Sequence, residues 1–104
     1  MKKAISRAKA ETYTPQTEKE KRLVRAFVLM KNERDVAALL RDLLTIAEIE
    51  EFANRLEIAR LLHKGYSYQK IAREAKASTT TVTRVAHWLN RGCGGYRTVI
   101  DKAQ

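Results

Sequence analysis

A single cysteine, Cys93, in a chain of 104 residues excludes an internal disulfide. A metal site would have to join it to the only two histidines, His63 and His87, and the three show no paired spacing of the zinc type, so no metal is expected. Long apolar runs are missing too. Nothing approaches the roughly 20 residues that cross a bilayer, and Met1-Lys2-Lys3 leads into polar sequence instead of the apolar centre of a signal peptide. The expectation is a soluble cytoplasmic protein with no membrane partner. Proline occurs once, at Pro15, just before the helical signals begin. No strand alternation, internal repeat or low-complexity tract competes with an all-helical reading.

Acidic residues are scarce relative to basic ones, 12 against 21, for a net charge of +9. Residues 1–34 carry +6, residues 35–62 carry −3 and residues 63–104 carry +6. A regular polyanion would be drawn to the two ends, and nucleic acid is the obvious one for a soluble chain. An anionic membrane fits less well, because the last basic residues interleave with a packed motif and do not line one amphipathic helix. With 44% apolar residues the chain can bury a core, but one small relative to its surface.

Residues 1–16 have no sustained apolar stripe and are expected to form a flexible basic arm, followed by a helical DNA-binding and dimerisation domain over 17–104. Thr17 with Glu20 forms a capping-box pattern, and Leu23, Val24, Ala26, Phe27, Val28 and Met30 give the helix after it a broad apolar stripe. Asn32 is placed to end that helix and Asp35 to cap the next, in which Val36, Leu39, Leu40 and Leu43 repeat core spacing. Thr45 with Glu48 repeats the capping box ahead of a third helix running through Leu62, with Ile49, Phe52, Ala53, Leu56 and Ala59 inward. Gly65 stops it. The first two helices are too short to be stable alone. Either they fold back over the rest of the chain or they exchange with a second copy, and the dimer is the favoured expectation.

Ser67 to Leu89 reads as two short helices joined by a tight turn, and the whole motif spans about 67–91. Ile71, Ala72 and Ala75 mark the first helix; Val82, Val85, Ala86 and Leu89 mark the second, with Ser67 and Ser78 as caps. Gly92, Gly94 and Gly95 end the motif, and a last helix from about Tyr96 to Lys102 is expected to return Val99 and Ile100 to the core. Stepping 100° per residue sets Val85, Ala86 and Leu89 within about 60° of Val82, while Thr80, Arg84, His87 and Arg91 fall near the opposite side. The hydroxyls of Ser78, Thr79, Thr80, Thr81 and Thr83 can meet base edges or phosphates, and Arg84 can grip a guanine edge. β-Branched threonines are poor helix formers, so a run of them at an exposed helix start is better explained by contacts than by stability. Gln69, Lys70 and Arg73 suit the phosphate backbone.

These residues predict a double-stranded-DNA-binding protein. Two other classes compete: a helical adaptor using the same surfaces for another protein, and a nonspecific coat of nucleic acid. Catalysis is not expected, because Glu48, Glu50, Glu51 and Glu57 look like a solvated helix face and neither histidine has a motif partner. Trp88 lies off both the core stripe and the far face, so it should pack on another element, either the third helix or a partner subunit. Tyr66, Tyr68 and Tyr96 are expected at the rims of helix ends.

Leu43-Leu44-Thr45, Asn54-Arg55-Leu56, Leu61-Leu62, Gly65 and Ser78 through Thr83-Arg84 together resemble the Trp repressor superfamily, in particular its YerC/YecD-type branch, over about residues 24–100. The resemblance implies a six-helix Trp repressor-like fold, an intertwined homodimer and a nucleoid-associated transcriptional regulator, most simply a repressor. In Trp repressors proper two arginines sandwich the corepressor indole, and these correspond to Arg55 and Arg84. Where that family has a glycine after the second arginine this chain has Val85, and where it has a small serine three residues further on it has Trp88. Both changes add bulk to the effector pocket. The expectation is a vestigial pocket, reading heads held in one state without a corepressor and no cofactor, with tryptophan or another small effector left as the alternative.

Overall fold

Thr17, Asn32, Thr45, Ser67 and Ser78 each accept a backbone N–H from three residues ahead, and each starts a helix. A computed structural model describes residues 11–103, and all regular structure among them is helical: α1 (Glu18–Leu29), α2 (Glu33–Leu43), α3 (Ile46–His63), α4 (Tyr68–Ala75), α5 (Thr79–Arg91) and α6 (Gly95–Lys102). Residues 1–10 of the expected arm lie outside the described residues. Residues 11–16 are not helical.

Both expected capping boxes are present. Glu20 reaches back to the N–H groups of Gln16 and Thr17, and Glu48 to that of Thr45. The Gln16 N–H above all holds the Glu20 carboxyl below the usual carboxylate range, helped by the Thr17 N–H and the Tyr13 hydroxyl and opposed by desolvation. One boundary differs from expectation. Asn32 does not end α1; its side chain accepts the Asp35 N–H and caps α2, while Met30 closes α1. An asparagine carbonyl three residues ahead of a free N–H serves as a cap whatever precedes it, so Asp35 becomes an acid in the first turn of α2.

The described chain divides into two units. In the unit of residues 13–52, α1 and α2 bury no residue, and Val28 and Leu29 are 77% and 70% exposed. Of the broad α1 stripe, Leu23, Val24, Phe27 and Val28 are exposed and Ala26 and Met30 are half-buried. The other unit, residues 53–103 with 11–12, holds the core: Ile58, Ala59 and Leu61 from α3, Ile71 from α4, Val82, Val85 and Leu89 from α5, and Ile100 from α6. Fully burying a side chain such as Ile58, Ile71 or Val82 contributes about 1.5–3 kcal/mol.

Two core expectations are corrected. On α3 the buried residues are Ile58, Ala59 and Leu61, while Phe52, Ala53 and Leu56 are exposed and Ile49 is half-buried. This helix is apolar on two faces, and periodicity shows that a stripe exists without saying which stripe meets the chain's own helices. On α6, Ile100 is buried but Val99 is 50% exposed. Adjacent helical residues point about 100° apart, so one core line does not take both.

Candidate nucleic-acid interface

α4 and α5 pack through Ile71, Val82, Val85 and Leu89, with Ala72, Ala75 and Ala77 filling in against them. The residues lost from solvent on α5 are Val82, Val85, Ala86 and Leu89, and Thr79, Thr80, Thr83, Arg84, His87 and Arg91 are exposed. The rotation read from the sequence is the one observed. Ser78 and Thr81 are engaged in the cap: Ser78 Oγ accepts the Thr81 N–H at 3.1 Å, and the two hydroxyls lie 3.1 Å apart. Thr81 is also half-buried. The hydroxyls left outward on this helix are those of Thr79, Thr80 and Thr83.

On α4, Gln69, Lys70 and Arg73 are exposed. Lys70 Nζ lies 5.0 Å from the centre of the Tyr66 ring, so a cation–π contact steadies the ammonium while leaving it accessible. Lys70, Arg73, Arg84 and Arg91 make no ion pair among the described residues. The Glu57 carboxylate, expected on a solvated face, is 45% exposed and takes a two-pronged contact there from Arg60 at 3.0 and 2.7 Å. That contact holds the Glu57 carboxyl below its ordinary range, against a smaller opposing effect of burial. A general acid needs the opposite shift.

The turn between α4 and α5 is fixed by backbone and side-chain bonds. Lys76 N–H reaches the Arg73 carbonyl at 3.3 Å and Ala77 N–H the Ala72 carbonyl at 2.9 Å, which is a Schellman closure. Asn54 Nδ2 on α3 donates to the Ala75 carbonyl at 3.1 Å. At the far end of α5, Arg97 of α6 donates to the Leu89 carbonyl at 3.1 Å and to Asn90 Oδ1 at 3.0 Å. Sequence reasoning missed both clamps. The signal is generic: the last carbonyls of every helix need donors, but sequence does not say which distant side chain supplies them.

The residues of the expected effector pocket are distributed as follows. Val85 is buried in the core, Arg84 is exposed and Arg55 is half-buried. The Tyr96 phenol is pushed up by burial, and the positive charge of Arg55 partly offsets that rise. Trp88 is not part of the buried core of the described residues. It is 41% exposed, meets the His87 ring edge-to-face at 5.4 Å, and lies over the end of its own helix. Its indole Cε3 is 3.0 Å from where a side chain at Gly92 would begin, and such a side chain would also run into the Trp88 carbonyl. Glycine at 92 lets the indole fold back there. Tyr66 and Tyr68 are exposed rim residues, while Tyr96 packs against the core.

A separate cavity of about 340 Å³ opens between the end of α3 and α6, lined by apolar Leu56, Val99, Ile100 and Ala103 together with Arg60, His63 and Lys64. No described helix is long and apolar enough to cross a membrane.

Residues 18–104 match the family described as Trp repressor protein. The chain is 38% identical over 82 residues to the uncharacterized protein YerC of Bacillus subtilis (strain 168), spanning 79% of each. It superposes on a TrpR-like protein from Eubacterium eligens ATCC 27750 with a TM-score of 0.79 at 32% identity, covering 85% of this chain and 91% of that one. A candidate Trp repressor from Staphylococcus aureus gives 0.78 at 30% identity, covering 85% and 88%.

Proposed function

The chain belongs to the Trp repressor family, and from that premise we propose that it is a sequence-specific transcriptional regulator, a repressor, that binds double-stranded DNA as a homodimer without tryptophan as corepressor. The observation that carries this reading is the division of α5. One side is buried in the core, and the opposite side carries Thr80, Thr83, Arg84, His87 and Arg91 to solvent, with Arg84 and Arg91 making no ion pair among the described residues. A helix so divided can lie in a major groove with its start toward the bases, while Gln69, Lys70 and Arg73 of α4 meet the backbone. Two copies would place two such helices about one turn of DNA apart, roughly 34 Å.

The homodimer is supported by what one chain leaves uncovered. Leu23, Phe27, Val28, Leu29 and Leu43, in two helices that bury nothing of their own, and Ile46 and Phe52 in the first part of α3 are all large, apolar and exposed. Soluble proteins rarely leave such a surface bare. A second copy is the partner that would present the same surface in return.

Competition against excess random-sequence DNA at physiological salt tests the function. A site selected from a random library is expected to stay bound; a coating protein would lose its preference, and an adaptor would show no binding. The absence of a corepressor rests on Val85 and Trp88. In titration calorimetry, L-tryptophan at micromolar concentration is expected to give no binding heat and no change in affinity for the selected site. Micromolar binding with tightened DNA affinity would show an open pocket.

A further inference from the structure

Two helices of this chain end in the same backbone motif, and one of them does so against conformational preference. At the end of α3, Gly65 N–H reaches the Leu62 carbonyl and Tyr66 N–H the Leu61 carbonyl, with Gly65 at φ +94. At the end of α4 the same pair of bonds runs from Lys76 to Arg73 and from Ala77 to Ala72, but the left-handed position is held by Lys76 at φ 53. Lys76 is the one non-glycine residue at positive φ among the described residues. Glycine adopts that conformation freely; a lysine does not, and it lacks the short polar side chain that lets asparagine or aspartate do so. No ion pair among the described residues repays the choice. The Lys76 side chain is exposed.

A strained left-handed position that glycine could hold with the same backbone bonds, given instead to an exposed lysine with no ion pair among the described residues, points to a role for that side chain outside the fold. The place is informative: Lys76 forms the turn between α4 and α5, two residues before the Ser78 cap, with exposed Arg73 in the preceding turn. The Schellman bonds and the Asn54 contact to the Ala75 carbonyl hold the backbone at its base. We propose that Lys76 is a DNA-phosphate contact, a cation kept at a glycine position because its charge anchors the turn to the sugar–phosphate backbone. This rests on the DNA-binding reading above and adds to it a residue that the sequence pattern did not select.

The test compares wild type, Lys76→Gly and Lys76→Arg on the selected duplex and on random duplex, across a range of salt, with thermal unfolding at one protein concentration. Lys76→Gly is expected to raise Tm by about 4 °C as the strain is relieved. It should weaken binding to both duplexes alike, about fivefold per bound subunit at 0.15 M salt, with a slope of log affinity against log salt shallower by about 0.9 per subunit. Lys76→Arg should match wild type in Tm, affinity and slope. Wild-type affinity in Lys76→Gly, a Tm that does not rise, or equal loss in Lys76→Arg would each overturn the proposal while leaving the DNA reading intact. Failure of the wild type to bind either duplex would overturn both.

Discussion

In light scattering the wild type is expected to be dimeric and the double variant Leu23→Asp/Phe27→Asp monomeric at the same concentration, with a loss of about 100-fold or more in affinity for a two-half-site duplex. The two side chains lie one turn apart on α1, a helix of 12 residues that buries none of them within the chain. A helix this short is marginal in isolation, so its persistence requires a surface to pack on. Placing carboxylates there would make that packing bury unpaired charge, which is strongly unfavourable. The core residues Ile58, Ile71, Val82 and Ile100 belong to the other unit. The helices of the DNA face should therefore remain folded, with the loss of circular dichroism confined to an amount matching α1 and α2. With one head bound instead of two, the slope of affinity against salt should fall by about half. A variant that remains dimeric, or a monomer that binds as tightly as wild type, would refute the proposed assembly.

The second large effect is expected at Arg84. Arg84→Ala should reduce discrimination between the selected site and a site changed at one guanine by about 5- to 150-fold, the equivalent of the roughly 1–3 kcal/mol that a bidentate arginine–guanine contact provides. Arg84 is exposed two residues beyond the buried Val82, and no ion pair among the described residues competes for its guanidinium. Thr80→Ala, one turn earlier on the same side, should act in the same sense and less strongly. Lys70→Ala supplies the contrast: an ammonium resting on the Tyr66 ring reads no base, so its loss should weaken every sequence equally and flatten the salt dependence by about one ion. Binding measured on matched and mismatched duplexes separates the outcomes. Equal losses on every sequence from all three variants would refute the division between reading and anchoring residues.

Much of this molecule is legible locally. A hydroxyl or amide three residues ahead of a free N–H is a contact within one turn, so Thr17, Thr45, Ser67 and Ser78 could be read as helix starts without any tertiary information. The error at Asn32 was of the same local kind: its side chain can serve the helix behind or the one ahead, and the Asp35 N–H took it. The outward set on α5 follows equally from sequence, because four apolar residues on one line leave the other side no choice. The role of Trp88 was less legible. Its angle on the helix placed it on a flank, but only the absence of a side chain at Gly92 lets the indole fold over its own helix end.

By itself the sequence determined six helices, most of their caps, the helix-turn-helix and the side of α5 left to solvent, since each of these depends on neighbours within about a turn. Only the tertiary structure decided which of two apolar faces of α3 enters the chain's own core, that Ile100 is buried and Val99 is not, and that Asn54 and Arg97 close the ends of α4 and α5. It also decided that Lys76 stands where a glycine would. The physical reason is that periodicity specifies a direction around a helix axis but not what lies in that direction, and a helix-end carbonyl specifies the need for a donor but not its source.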